Sequence, residues 1–362
     1  MAFDGIVVAN LVHELRGQLL NGRIARIAQP EADELLLTFK TPEGQKRLLI
    51  SANASLPLIY LTDTNKPSPL TAPNFCMLLR KHIANGRITD ISQPKLERII
   101  RFTIEHLDEL GDLCRKILIV EIMGKHSNII FCGEDRKIID SIKHVPAQMS
   151  SVREVLPGRE YFIPDTMHKA DPLSVTREDF TRLLTEKPLP LSKAVYTSFT
   201  GISPVAAEEI CCLAGMDSSV PAKEYSEDIL FHLFHQFEIY FSAVKEKKFT
   251  PLIYFNGQEP QEFASLPLTH FSMYTARRYD SISEVLRTFY ATRSRLGRIR
   301  QKSADIRHIV QTALERNRKK YDLQLRQLKD TENREKYRIY GELINAYGYN
   351  VPEGAKQLEA LN

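Results

Sequence analysis

Ile6, Val7, Asn10, Leu11, Glu14 and Leu15 keep helical spacing in a largely apolar pattern, as do Phe75, Leu78, Leu79, His82 and Ile83. Each run ends at Asn-Gly, where a glycine in the left-handed conformation would close the helix. The ten residues that begin at each stop are nearly the same, NGRIARIAQP at 21–30 and NGRITDISQP at 85–94. A duplicated unit of helix, stop and strand is the reading. Beyond each copy the period shortens to that of strands: ELLLTF, a TPEG turn at 41–44, KRLLIS and LPLIYLT after the first, ERIIRFTIEH and KILIVEIMGKHSNIIFCG after the second. Two small sheets, or one sandwich, with the repeat helices packed against them are expected up to about residue 165.

The stretch PGREYFIPDTMHKADPL at 157–173 has no convincing period and reads as a linker or extended arm. Helical patterns then return at 178–184, 191–199, in GISPVAAEEICCLAG and at 225–247, and Asn256-Gly257 between apolar runs signals a hairpin that closes a second domain. From Ser283 to Glu342 there is no proline, and Ile306, Val310, Ala313, Leu314, Tyr321, Leu325 and Leu328 form an apolar stripe on a long polar helix, the pattern of a coiled-coil arm. The expected class is α+β, with domains at 1–170, 171–280 and 281–362.

Charge changes this picture more than composition does. The 362 residues carry a net charge of only +4, with 43% hydrophobic and 26% charged residues, values of an ordinary globular chain. Residues 293–338, however, hold 15 Lys and Arg against 6 Asp and Glu, a local +9 that leaves −5 for the remainder. Such a stripe commonly meets the phosphate backbone of RNA, and Arg298, Arg300, Lys302, Arg307, Arg316, Arg318, Lys319 and Lys320 are its candidate contacts. Its competing explanation is a solvated helix face. Five scattered cysteines without Cys-x-x-Cys spacing fit a reducing compartment. The N-terminal segment is broken by Asp4, Asn10, His13 and Glu14, unlike a signal peptide, so a cytoplasmic location is expected.

Motifs for enzymatic chemistry are missing. There is no phosphate-binding G-x-x-x-x-G-K-[ST] or G-x-G-x-x-G turn, no H-E-x-x-H and no G-x-S-x-G. His232, His235 and Glu238 have one-turn spacing, but lie in an apolar run without cysteine partners, so they read as buried or rim residues and no metal or cofactor is expected. His126 and Ser127, neighbours on a strand, would face opposite ways and make no catalytic pair. GISPVAAEEI resembles a helix-hairpin-helix, though Glu208 and Glu209 with the acidic residues after them would repel a phosphodiester, which favours packing or protein contact. Two clusters hold attention. Lys95, Leu96, Glu97 and Arg98 open a strand with charge, and Glu121 to Asn128 interrupt the apolar run KILIV with polar residues that a strand does not need. An ordinary strand end and a binding edge weigh equally there; Arg98, Lys125 and His126 are residue types that hold phosphate or ribose.

With these residues in view, the chain resembles the NFACT family in its bacterial RqcH type, whose members also carry the name fibronectin-binding protein and whose eukaryotic relative is NEMF. The resemblance rests on MAFDG, NFCMLLRKHIANGRI, PKLERIIRF, ELGD with KILIVEIMGKHSNII, DSIKHV, LPGREY, SISEVLRTFY, RIRQKSADI and YGELI, in order over nearly the whole chain. It implies binding to a large ribosomal subunit obstructed by peptidyl-tRNA, and recruitment of a tRNA, that for alanine in bacteria, so that the stalled chain gains a C-terminal alanine tail without mRNA. It implies no catalytic residue in this chain, since the ribosome forms the bond. It matches Arg98 and the triplet Glu121, Ile122, Met123 to tRNA-handling motifs, with Lys125 and His126 beside them, and makes the basic helix the arm along the subunit. Glu97 stands where the family has Asp, one methylene longer. The returning arm and the C-terminal NFACT-R domain are not in the sequence, which reads as an N-terminal fragment. The first domain also resembles that of formamidopyrimidine-type DNA glycosylases, but Ala2 and Phe3 leave no N-terminal proline nucleophile. A fibronectin-binding adhesin and a lesion-binding protein are the alternatives.

Overall fold

The structure is a computed structural model that describes residues 3–361 apart from 109, 166 and 167, with no account of the side chains of 294–302, 304, 305 and 332. Ala2, where the glycosylase nucleophile would be absent, lies outside the described residues. The chain divides into two compact units, residues 1–293 and 294–362.

In the first unit, helix α1 (Gly5–Leu19) leads into strands β1 (Arg23–Ala28), β2 (Glu34–Thr41), β3 (Gly44–Ser51) and β4 (Leu58–Leu61). Helix α2 (Asn74–Ile83) then leads into β5 (Arg87–Ser92), β6 (Ile99–Leu107), β7 (Leu113–Glu121), β8 (Asn128–Gly133) and β9 (Ile138–Ser141). The duplication is therefore real, but it does not make two sheets or a sandwich. One nine-stranded antiparallel sheet runs β4-β3-β2-β1-β5-β6-β7-β8-β9. The reason is that β1 and β5, the two repeat strands, pair with each other, Arg23 opposite Arg87. Backbone bonds of 2.9 Å from Ile24 N to Gly86 O and from Ile88 N to Gly22 O complete the join. Arg23 and Arg87 are equivalent residues of the two copies, so antiparallel pairing between them places a local two-fold axis at the sheet centre. A register shift falls at Ile24/Arg26 in β1 and at Ile88/Asp90 in β5, the same place in each copy.

The helix stops also differ from expectation. Asn21 (φ 62°) and Asn85 (φ 61°) take the left-handed conformation, not the glycines after them. Asparagine tolerates that region better than other residues with a side chain.

Alternation along the strands sends one set of residues to the helices and the other to the opposite face. Leu11, Leu15 and Leu19 of α1 and Phe75, Leu79 and Ile83 of α2 share a core with Leu37 and Phe39 of β2, Ile100, Phe102 and Ile104 of β6, and Leu118 and Val120 of β7. The other face of the second half packs Ile99, Ile119 and Ile130 against Val155 and Tyr161. The first half of the expected linker is thus part of the fold, with Tyr161 2% exposed.

Helices α3 (Arg177–Thr185), α4 (Leu191–Ser198), α5 (Pro204–Leu213) and α6 (Glu227–Lys245) form a separate apolar cluster. Its centre is aromatic, with Phe180, Phe199 and Phe237 rings 4.9–5.5 Å apart. Strands β10 (Leu252–Asn256), β11 (Glu259–Ala264) and β12 (Thr275–Arg278) make a three-stranded ribbon in the order β11-β10-β12, one strand more than the hairpin expected. One of its faces does not close the helical domain: Ile253, Phe255 and Phe263 belong to the core under the large sheet, as do Ile282, Val285, Leu286 and Phe289 at the start of α7 (Ile282–Tyr347).

The second unit is the remainder of α7 and a short tail. Ile306, Val310, Leu314, Tyr321, Leu325 and Leu328 are all exposed along it. The apolar stripe is present and uncovered.

Candidate nucleic-acid interface

The polar interruption after KILIV is a turn built on a buried ion pair. Glu121, at the end of β7, is 2% exposed. Its carboxylate accepts from Arg153 Nη2 at 2.7 Å and from the Tyr161 hydroxyl at 2.8 Å. Arg153 also donates from Nη1 to Phe162 O at 2.7 Å and lies 5.2 Å from the centre of the Tyr161 ring. Burial pushes the Tyr161 hydroxyl well above its ordinary value, with the Glu121 charge adding to the rise, so it stays a donor. A carboxylate so enclosed has no oxygen to offer a ligand. Glu121 is therefore a positioning residue, and Ile122, also 2% exposed, is core.

The next residues turn outward. Gly124 has φ +59°, and Gly124–His126 form a single 3-10 turn in place of the continuous strand expected around His126. Met123 N donates to the Ser127 hydroxyl at 2.8 Å, which closes the turn. Ser127 is buried, and its hydroxyl accepts this bond, so it lies in a turn and not on the strand expected there. Asn128 Nδ2 donates to Lys143 O at 2.8 Å, and Lys143 Nζ donates to Ser127 O at 3.2 Å and to Ala52 O. The turn is pinned from both sides, and what it exposes is Lys125 and His126, with Met123 half-buried.

The segment carrying Glu97 and Arg98 lies directly beside it. Ile122 N donates to Arg98 O at 2.9 Å, and Ile99 pairs with Glu121 across β6 and β7. Lys95 adopts φ 50°, and Leu96 is buried with Ile6 and the helical cluster. Gly5 N donates to Gly201 O at 2.9 Å, and Gln93 Nε2 donates to Gly5 O and Glu97 O, both at 2.8 Å. A Cβ on Gly5 would fall 2.0 Å from Leu96 O, and one on Gly201, which has φ +76°, 2.2 Å from the same atom. Only glycines allow three chain segments to meet there.

Arg98 and Glu97 are both half-buried. Burial raises the Glu97 carboxyl above its ordinary value, against the pull of Arg98, Lys169 and Lys95. Burial likewise lowers the Lys169 ammonium, which donates to Tyr196 O at 2.8 Å. The structure thus brings Arg98, Lys125 and His126, read from two separate clusters in the sequence, to one end of β6 and β7. It adds Lys169 to the Glu97 environment and Arg153, Tyr161 and Lys143 as supports. Tyr161 and Lys143 stand in LPGREY and DSIKHV, quoted for resemblance without a role; Arg153 and Lys169 have no sequence signal.

Other sequence expectations move. Asp4 of MAFDG caps α1, accepting from Ile6 N and Val7 N at 3.0 Å each and from the Ser203 hydroxyl at 2.6 Å. The helix-hairpin-helix is α4, a turn through Gly201, and α5 capped by Ser203. Glu209 does not face a phosphate: it is fully buried and accepts from Thr269 Oγ1 at 2.7 Å and His270 Nδ1 at 2.6 Å. His232, His235 and Glu238 are exposed rather than buried, because the core-facing stripe of α6 is Leu230, Leu233, Phe234, Phe237 and Phe241. Among the described residues no group of three or more metal-ligating side chains occurs, and no helix is long and apolar enough to cross a membrane. Of the arm residues, Arg307, Arg316, Arg318, Lys319 and Lys320 are exposed, while the side chains of Arg298, Arg300 and Lys302 lie outside the described residues.

A family model described as the NFACT N-terminal and middle domains matches residues 4–362. The chain is 36% identical over 364 residues to the Rqc2 homolog RqcH of Bacillus subtilis strain 168, across 100% of this chain and 61% of that one. It is 27% identical over 133 residues to ribosome quality control complex subunit 2 of Saccharomyces cerevisiae, across 36% of this chain and 12% of that one. Solved structures are similar as well, two of them as follows. The fibrinogen binding protein from Staphylococcus aureus has a TM-score of 0.68 and 29% identity, over 80% of this chain and 99% of that one. The N-terminal part of the fibronectin/fibrinogen-binding protein from Streptococcus suis has a TM-score of 0.66 and 30% identity, also over 80% and 99%. The chain spans about three fifths of the length of the bacterial relative it matches.

Proposed function

Because the chain belongs to the NFACT family, spanning its N-terminal and middle domains, we propose that it is the tRNA-positioning part of a cytoplasmic ribosome quality control factor. In this reading it binds a large ribosomal subunit that carries stalled peptidyl-tRNA and recruits a second tRNA, that for alanine, for mRNA-independent tailing of the nascent chain. The protein supplies placement and the ribosome forms the bond, so the gain is one of proximity. The single observation that carries the reading is the accessible set Arg98, Lys125 and His126 on backbone fixed by the Glu121, Arg153 and Tyr161 cluster. Three donors on a pinned frame suit phosphate and ribose oxygens. The exposed basic residues of α7, including Arg307, Arg316, Arg318, Lys319 and Lys320, supply sequence-independent attraction to RNA.

The test is a salt series of tRNA binding by the wild type and Arg98→Ala. Loss of one phosphate contact lowers affinity by about five- to eightfold at 0.1 M salt and reduces the salt slope by about one. Equal affinity and slope in the two proteins refute the assignment of Arg98. Crosslinking of the full-length protein in cells, with sequencing of the bound RNA, then identifies the tRNA; a spread over all tRNAs in proportion to abundance contradicts selection for alanine. A second reading, a fibronectin- or fibrinogen-binding surface protein, takes its support from the two similar solved structures. It requires surface-exposed protein and saturable fibronectin binding that Arg98→Ala leaves unchanged.

A further inference from the structure

The two repeats are related residue by residue at a spacing of 64, which makes Arg16 the equivalent of Arg80, Arg26 of Asp90, and Ile27 of Ile91. In one half, Arg16 Nη1 donates to Ile91 O at 2.7 Å and to the Asp90 carboxylate at 2.5 Å. In the other, Arg80 Nε donates to Ile27 O at 2.9 Å, so the backbone bond is kept. The carboxylate is not kept. Its position is Arg26, and neither Arg26 nor Arg80 forms an ion pair with a carboxylate among the described residues. Both are exposed.

These two guanidinium-bearing residues line an open groove of about 310 Å³, with Ile24, Ala25, Ile27 and Ala84 as the rest of its lining. Register sets Arg26 opposite Thr38 and Arg23 opposite Lys40, so Arg23 and Lys40 lie on the same sheet face two positions along. Where one half has an internal anion, Asp90, beside its helix arginine, the other has a second cation, Arg26.

We propose that the groove between β1 and α2 holds a phosphate of an RNA backbone, as a second contact apart from the turn at Lys125 and His126. This rests on the RNA-binding reading of the chain. Arginine pairs grip phosphate oxygens through charge-assisted, directional bonds. The groove is open and lined by alanine as well as arginine, which admits a phosphodiester that continues on both sides.

Arg26→Asp is the decisive variant because it rebuilds the pair that the other half already accommodates between Arg16 and Asp90. Fluorescence anisotropy with labelled bulk tRNA is measured for the wild type, Arg26→Asp, Arg98→Ala and the double variant across a salt series, with thermal melts as a check on folding. Arg26→Asp is expected to melt at or above the wild-type temperature, bind at least about five- to eightfold more weakly at 0.1 M salt and lose about one from the salt slope. The losses at Arg26 and Arg98 should multiply in the double variant. Weakening by Arg26→Asp with none by Arg98→Ala supports the groove and removes Arg98 as a contact. Weakening by Arg98→Ala alone overturns the groove and leaves the proposed function standing. A parallel titration with inorganic phosphate separates the sources: Arg26-dependent phosphate binding, with tRNA affinity unchanged in Arg26→Asp, overturns the RNA assignment.

Discussion

Tyr161→Phe deletes one hydroxyl and nothing else, which makes it a clean probe of the frame beneath the exposed turn. The hydroxyl donates at 2.8 Å to Glu121 Oε1, and the other side-chain donor to that carboxylate among the described residues is Arg153 Nη2 at 2.7 Å. The Glu121 side chain is 1% exposed and that of Arg153 11%, so water does not readily replace the lost bond. Leaving a buried acceptor short of a partner costs about 1–3 kcal/mol. Arg153→Ala removes the countercharge and should cost more, about 3–5 kcal/mol, since Glu121 is then buried unpaired. Glu121→Gln combined with Arg153→Met should cost less than the two single changes together, by about 0.5–3 kcal/mol of coupling. Urea unfolding followed by circular dichroism measures all of them. The companion measurement is tRNA affinity well below the melting temperature, where Tyr161→Phe should stay within about twofold of wild type because Glu121 positions the turn and does not touch the ligand. Wild-type stability in Tyr161→Phe with a large loss of affinity would refute this and make the hydroxyl or carboxylate a contact.

Gly201→Ala should destabilise the chain by about 3 kcal/mol or more in thermal or urea unfolding, because a left-handed φ and a 2.2 Å approach to Leu96 O both oppose a side chain; an unchanged melt contradicts the close meeting of Gly5, Gly201 and Leu96. In the native protein a thiol reagent should label Cys212 first, since it is exposed, while Cys132 and Cys211 are buried with thiols pushed up to about 12 and should react only on unfolding; mass spectrometry of a timed reaction checks the order. Burial raises the Glu209 carboxyl, but bonds from His270 and Thr269 outweigh it and leave the group below its ordinary value. Its contribution to stability is therefore complete above about pH 4.3 and lost as pH falls through the depressed value. His270→Ala should move the onset of acid unfolding to higher pH, and an unshifted acid transition argues against the pair.

The repeat, the helices and nearly every strand were legible in the spacing of apolar residues, because each depends on contacts between near neighbours. The single sheet was not. Its formation turns on Arg23 meeting Arg87, a pairing between two segments that each read equally well as the edge of a separate sheet. Similarly, Arg98, Lys125 and His126 were readable as charge out of place beside a strand, whereas Glu121 looked like part of the same surface. Its inward direction depends on Arg153 and Tyr161, 32 and 40 residues away in the chain. Glu209 was misleading for the same reason. A carboxylate beside a hairpin turn reads as repulsive until His270, 61 residues on, is seen to hold it.

The axis between β1 and β5 is an isologous interface folded into one chain: the same patch on both sides, with Arg23 facing its counterpart Arg87 and the bonds of Ile24 to Gly86 and Ile88 to Gly22 repeating each other. In a homodimer with such an interface every substitution appears twice, so no residue can be altered on one side alone. Covalent linkage of the copies removes that constraint. Asp90 keeps its Arg16 partner while position 26, its equivalent in the other half, is arginine. Equivalent positions of the two halves are then free to serve different ends.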